Sequence, residues 1–177
     1  YALHSAIQSC FRTTCELFAS PLNCSVTGDM DTYASAFQED TLFGALHDAF
    51  AYRWTGSCMG NPEYEPTDMH KAVTHALPCS DASPSPLLVA LCLPAWEDSP
   101  WQAESIRNHP NMETLIRLER GQLKFVPHNK QLDTALIPAL LTPAEWPVEL
   151  VIIANQSGRE AYLDVIRLQH VLVPAIR

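Results

Sequence analysis

At 177 residues and 19.7 kDa the chain has room for one domain, and 47% hydrophobic against 18% charged residues describes a packed core and excludes a disordered segment. No apolar run approaches the roughly 20 residues of a membrane-spanning helix. The net charge of −9 lies wholly in residues 1–100, where three basic residues face twelve acidic ones, while 101–177 carry eight of each; such a balance argues against strong unaided binding to phosphate backbones.

Taken in chain order, residues 1–12 carry apolar side chains at helical spacing and are expected to form a helix. Residues 15–20 read as a short buried strand that Pro21 ends, 31–37 as a second strand and 56–61 as a third. Residues 66–77 read as a helix with Thr67 as its cap and Asp68 in its first turn. The run 87–95 (LLVALCLPA) is continuous, short and preceded by a Ser/Pro loop, which suits a strand covered on both faces, as in a parallel sheet; 148–154 (VELVIIA) is a second such run. Between them a helix is expected over 101–108, and a hairpin of 114–118 with 122–126 around Gly121. Residues 159–173 are helical by composition early and β-branched late. Alternating strands and helices give an open α/β sheet, one domain over 1–177, whose sites lie beyond the carboxyl ends of the strands. The chain opens at Tyr1 without Met or leader, as expected of a processed protein or of the ordered part of a longer one.

Six cysteines form no CxxC pair, and Cys58 and Cys92 fall inside apolar strands, so reduced thiols in an intracellular protein are expected. His70 and His75 are five residues apart, on different sides of a helix, so with Cys79 they are not expected to hold a metal. Arg107, Arg117, Arg120, Lys124 and Lys130 form a loose basic stretch diluted by Glu113 and Glu119; it reads as a solvated face, or else as the nucleic-acid contact.

Gly60-Asn61-Pro62-Glu63-Tyr64 follows the third strand and precedes a helix, so a proline-stiffened loop stands over the crevice. An exocyclic amine is a weak nucleophile because its lone pair is delocalised into the ring. A site that methylates one must accept its hydrogens and turn the lone pair toward the methyl donor. The side-chain carbonyl of Asn61 and the backbone carbonyl of Pro62 are the candidate acceptors, and Tyr64 a candidate stacking ring. The same residues also make a plain turn.

Three stretches together resemble the phosphorylated-CTD-interacting-factor family of cap-specific adenosine N6-methyltransferases: Phe18-Ala19-Ser20-Pro21-Leu22-Asn23-Cys24, then Tyr33–Phe37 with Phe43-Gly44, then Asn61-Pro62-Glu63-Tyr64 where the family has Asn-Pro-Pro-Phe. The run 87–96 ending in Pro and Trp, and Leu118-Glu119-Arg120-Gly121, echo it more weakly. The resemblance implies a Rossmann-like methyltransferase sheet with helices on both faces, S-adenosylmethionine as cofactor, and methyl transfer to the N6 amine of adenine in RNA, more than in DNA. It places Ser20, Pro21, Asn23 and Phe37 at the cofactor and Asn61, Pro62 and Tyr64 at the base. No metal or general base is needed, since the sulfonium is already activated. Glu63 departs from the family's second proline, which leaves open an alternative: a catalytically degenerate subunit with a structural or binding role in a larger assembly. Nucleic acid would be reached through a further module or partner subunit, in the nucleus or cytoplasm and with no membrane.

Overall fold

The computed structural model describes residues 2–24, 32–125 and 142–164, together with 167, 168 and 170. In chain order the elements are α1 (Ala2–Phe11), β1 (Cys15–Leu17), β2 (Thr32–Ser35), a 3-10 helix (Gln38–Phe43), β3 (Leu46–His47), β4 (Gly56–Gly60), α2 (Pro66–Ala82), β5 (Leu87–Pro94), α3 (Glu104–Arg107), β6 (Met112–Leu118), β7 (Lys124–Phe125), β8 (Thr142–Pro143), β9 (Val148–Ala154) and α4 (Gln156–Tyr162). Among the described residues seven strands form one sheet in the order β3-β2-β1-β4-β5-β9-β6, and β7 pairs with β8 beside it. The bonded neighbours from β3 to β5 are parallel, whereas β9 runs antiparallel to both β5 and β6.

Alternation along β5 divides the core. Leu87, Val89, Leu91 and Leu93 pack with Met69, Ala72, Val73 and Ala76 of α2. Leu88 and Ala90 pack with Ala6, Ile7 and Phe11 of α1 on the other face. Both faces are therefore covered by helices, which is why β5 and β9 read as unbroken apolar runs.

Several expectations are corrected. The sheet is mixed, not parallel: burial on both faces fixes a strand's composition but says nothing of its direction. The hairpin around Gly121 does not form. Instead Met112–Leu118 pairs with Val148–Ala154, and Lys124–Phe125 with Thr142–Pro143, so the turn signal at Gly121 yields to apolar pairing from far along the chain. β1 ends at Leu17 rather than at Pro21, because Phe18 takes a left-handed backbone (φ 60°). β3 has no signal in its two residues. The second helix is capped at Glu65, with Pro66 in its first turn, and runs five residues past Leu77, through Pro78. Burial of Cys79 and Ser80 on the core side outweighs the roughly 3 kcal/mol an internal proline costs. The 101–108 segment divides into a 3-10 turn (Pro100–Gln102) and α3. Of the ambiguous tail, α4 ends at Tyr162; most of the chain beyond Asp164 lies outside the described residues, as does Lys130.

Candidate active site

The chain lays down β1, β2 and β3 toward one edge of the sheet, then returns to place β4 and β5 on the other side of β1. In an open sheet of this kind ligands lie outside the carboxyl ends of the strands where the order reverses. Here that is β1 beside β4, with Leu17 opposite Gly60 as the last registered pair. The segments that leave these two strands are 18–24 and 61–65.

At the end of β1, the left-handed turn at Phe18 carries its ring into an aromatic cluster with Phe50 (5.3 Å between centroids) and Trp54 (5.9 Å). A methyl group at Gly60 would stand 3.0 Å from that ring, so glycine there permits the close approach of the two strand ends. Beyond it, Ala19 N–H donates to the Ala34 carbonyl of β2 (2.8 Å). Ser20-Pro21-Leu22-Asn23 then forms a compact turn. The Ser20 N–H (2.6 Å) and hydroxyl (3.1 Å) both donate to Asn23 Oδ1, and the Asn23 N–H donates back to the Ser20 carbonyl (3.1 Å). Asn23 is exposed, and with its oxygen used inside the turn its NH2 is the group left to offer a ligand.

Beyond β2, Phe37 is 64% exposed on the same edge, with Leu42 and Phe43 exposed after it. Its N–H donates to Ser35 Oγ (3.2 Å), and the Ser35 hydroxyl donates to Asp40 Oδ2 (2.5 Å). Sequence reasoning does not single out Asp40. Its signal is positional, a carboxylate just past the second strand of a doubly wound sheet.

Beyond β4, Asn61 is exposed and Pro62 buried. The Tyr64 hydroxyl donates to Asn61 Oδ1 (2.8 Å), which occupies one of that oxygen's two lone pairs. The Tyr64 ring packs edge-on against Trp146 (6.1 Å), and Trp146 against Trp96 (5.6 Å). Burial pushes the Tyr64 phenol up, with Cys92 adding to the effect and the Asn61 bond opposing it. Trp146 arrives because β9 is reversed: its first residue pairs with the last of β5, and Ala95 N–H donates to the Pro147 carbonyl (2.9 Å). No local pattern places a tryptophan from residue 146 beside a loop at residue 61, so sequence reasoning misses it.

Ser20, Pro21 and Asn23, Phe37, and Asn61, Pro62 and Tyr64 thus lie in the segments that follow the carboxyl ends of the neighbouring strands β1, β2 and β4. The basic stretch behaves otherwise. Glu149 of β9 is 3% exposed and accepts from Arg107 Nη1 (2.5 Å), Arg117 Nη1 (2.9 Å) and the Thr114 hydroxyl (3.0 Å). Glu149 holds the Arg117 guanidinium more firmly protonated still. Two of the five expected cations thus neutralise a buried carboxylate and are not free for phosphate. His75 likewise packs on Trp54 (4.7 Å) and meets the Tyr52 carbonyl (2.9 Å). Among the described residues no group of three or more His, Cys, Asp or Glu is placed to hold a metal ion, and no described helix is long and apolar enough to cross a membrane.

The human mRNA (2'-O-methyladenosine-N(6)-)-methyltransferase is 32% identical to this chain over 121 residues, which cover 67% of this chain and 15% of that enzyme. The family model described as the phosphorylated CTD interacting factor 1 WW domain matches residues 2–125, from α1 through β7 of the architecture above. Matching well over half of its length, the chain belongs to the phosphorylated CTD interacting factor 1 family.

Proposed function

We propose that this chain supplies an S-adenosylmethionine-dependent methyltransferase site, on a Rossmann-like sheet, that acts on the N6 amine of adenine in RNA. The observation that carries the reading is that the Ser20–Asn23 turn and the Asn61–Tyr64 loop leave the carboxyl ends of two registered neighbouring strands at the point where the strand order reverses. The order β3-β2-β1-β4-β5 is that of a doubly wound nucleotide-binding sheet. The activity of the human relative supports the same chemistry.

The residues present fit the cofactor. Asp40 offers a carboxylate for ribose hydroxyls, the exposed Phe37 ring an apolar surface for the adenine, and the Ser20–Asn23 turn small polar groups for the amino-acid end. S-adenosylmethionine supplies a methyl group already activated on a sulfonium. What the chain contributes is orientation. Asn61 Oδ1, steadied by the Tyr64 hydroxyl, has a second lone pair for one amine hydrogen, and the Pro62 carbonyl takes the other. With its hydrogens accepted out of the ring plane, the amine nitrogen would pyramidalise, its lone pair would leave conjugation and face the side from which the cofactor would supply the methyl group, and the proton released afterwards would pass to solvent. Trp146 and Trp96 wall the loop on one side. The buried indole N–H of Trp146 has no acceptor among the described residues, and a bound base can provide one. RNA is reached through a further module or partner subunit, in the nucleus or cytoplasm.

A second reading, a methyltransferase-fold subunit with a structural or binding role, is favoured by the charge around the loop. Glu63, Glu65, Glu97, Asp98 and Glu145 are all exposed and flank the three aromatic residues in sequence, where they repel a phosphate-bearing acceptor. Calorimetric titration with S-adenosylmethionine separates the two. Binding that Asn23→Ala weakens, with methyl transfer that Asn61→Ala abolishes while the circular dichroism stays native, supports the enzyme. A folded protein that takes up no cofactor at millimolar concentration is the structural subunit.

A further inference from the structure

Cys15 and Cys58 face each other in register on the parallel neighbours β1 and β4. Adjacent strands stand about 4.8 Å apart, and a disulfide spans Cα atoms roughly 4.4–6.8 Å apart, so the backbone already meets the condition for a bond. Both side chains line a cavity of about 250 Å3 shared with Thr14, Leu46, Arg53 and Trp54. Its wall runs from Thr14 and Thr55, which precede β1 and β4, to Leu17 at the end of β1, and Asn61 is not part of it.

The two sulfurs are not equivalent. Cys58 is buried and its thiol donates to the Thr55 carbonyl (3.4 Å), whereas Cys15 is half-exposed. The neighbouring Cys15 sulfur, with burial adding to its effect, pushes the Cys58 thiol well up. Cys58 in turn pulls the Cys15 thiol down, against the opposing effects of Cys15's own burial and of Glu16. Cys15, the half-exposed member of the pair, is therefore the sulfur that an oxidant reaches first, and Arg53 also lines the cavity. Cys92 is the contrast, a thiol that burial alone pushes up to about 12.

We propose that Cys15 and Cys58 form a peroxide-sensitive thiol pair, in which Cys15 is oxidised first and Cys58 resolves it to a disulfide. The Cys15 thiolate attacks the O–O bond of a peroxide; an S–O bond forms, and the departing oxygen leaves as hydroxide (from hydrogen peroxide) and takes up a proton from solvent. The Cys58 sulfur then attacks the Cys15 sulfur. The S–S bond forms as the S–O bond breaks, and the leaving hydroxide takes the Cys58 proton to become water. Two thiols lose two electrons, and one hydrogen peroxide becomes two waters. In-register partners on parallel strands hold their Cβ atoms near the strand spacing, above the roughly 3.5–4.5 Å a relaxed disulfide prefers, so the bond draws the strands together and is easily reduced. It staples the two strands from which the Ser20 and Asn61 segments depart.

The test is peptide mapping of the intact chain after brief treatment with micromolar hydrogen peroxide. The expected result is that free thiols fall from six to four, that a Cys15–Cys58 linked peptide appears, and that dithiothreitol restores all six. In Cys58→Ser a sulfenic-acid trap labels Cys15 ahead of the other thiols, and Cys15→Ser gives no linked peptide. A linked peptide of Cys15 with Cys79, or oxidation of Cys24 or Cys92 before Cys15, overturns the proposal. The wild-type map decides alone if Cys58→Ser does not fold.

Discussion

The Tyr64 hydroxyl lies 2.8 Å from Asn61 Oδ1, and burial keeps it protonated far past neutral pH. It therefore donates to Asn61 at any pH where the protein is folded, and fixes which way the amide faces. Tyr64→Phe keeps the ring contact with Trp146 and removes only that donor. Methyl transfer is expected to fall about tenfold, near the worth of one hydrogen bond, with affinity for S-adenosylmethionine unchanged; equal activity in the two proteins would detach Tyr64 from the chemistry. Cys92 gives a stability prediction. Its thiol rises from an ordinary 9.0 to about 12 in the folded chain. A raised value means that the stabilisation is complete below pH 9 and is lost as pH climbs toward 12, because the unfolded chain releases the proton first. Thermal midpoints should drop over that interval, and less steeply in Cys92→Ala. The loop at Asn61 is legible at this scale because asparagine, proline and tyrosine stand together after an apolar strand. Trp146 is not, since it reaches the loop through the pairing of β9 with β5, between distant segments.

At the scale of elements, the strands that can be read are those buried on both sides: 87–95 and 148–154 agree with β5 and β9 within a residue. Their directions cannot be read, nor can the pairing of β6, because apolar composition records burial and not partner. The helix at Pro66 is legible from its start, and its end is not, because Pro78 is a strong local stop that packing overrides. α4 and β5 make a close junction. Asn155 caps α4 by accepting from Gly158 N–H (2.8 Å), and it also accepts from Leu87 N–H (3.1 Å), which ties the helix start to the strand start. A Cβ at Gly158 would fall 1.9 Å from the Leu87 carbonyl oxygen, so the helix can approach only without a side chain there. Gly158→Ala gains up to about 1 kcal/mol of helix propensity and is expected to lose about 2–3 kcal/mol through overpacking against backbone that cannot yield. Urea titration reads the net loss, and a variant as stable as the parent would contradict the contact.

At the scale of the whole molecule, charge and topology answer to different parts of the chain. Four of the acidic residues of the first hundred, Glu63, Glu65, Glu97 and Asp98, flank the aromatic residues of the candidate site in sequence, while Arg107 and Arg117 of the later part bond the buried Glu149. This division is visible in the sequence as a count but not as a geometry, because no spacing rule says that Arg107 and Arg117 will meet residue 149.

The reversed strand β9 bears on where the molecule can be divided. Similarity to the family model stops at residue 125, before β9 begins at Val148. Yet β9 is the filling between β5 and β6, and among the described residues the only strand bonded to β6 within the sheet. A fragment ending at 125 would leave β6 stranded and open the long apolar flank of β5 to any neighbour with a matching edge. Such a fragment is expected to form sedimenting oligomers rich in β structure, while the full chain stays dispersed; a monomeric, cooperatively melting fragment would refute this. The stretch that marks kinship is therefore shorter than the stretch that makes the sheet, and a boundary drawn on likeness alone cuts through the sheet's middle.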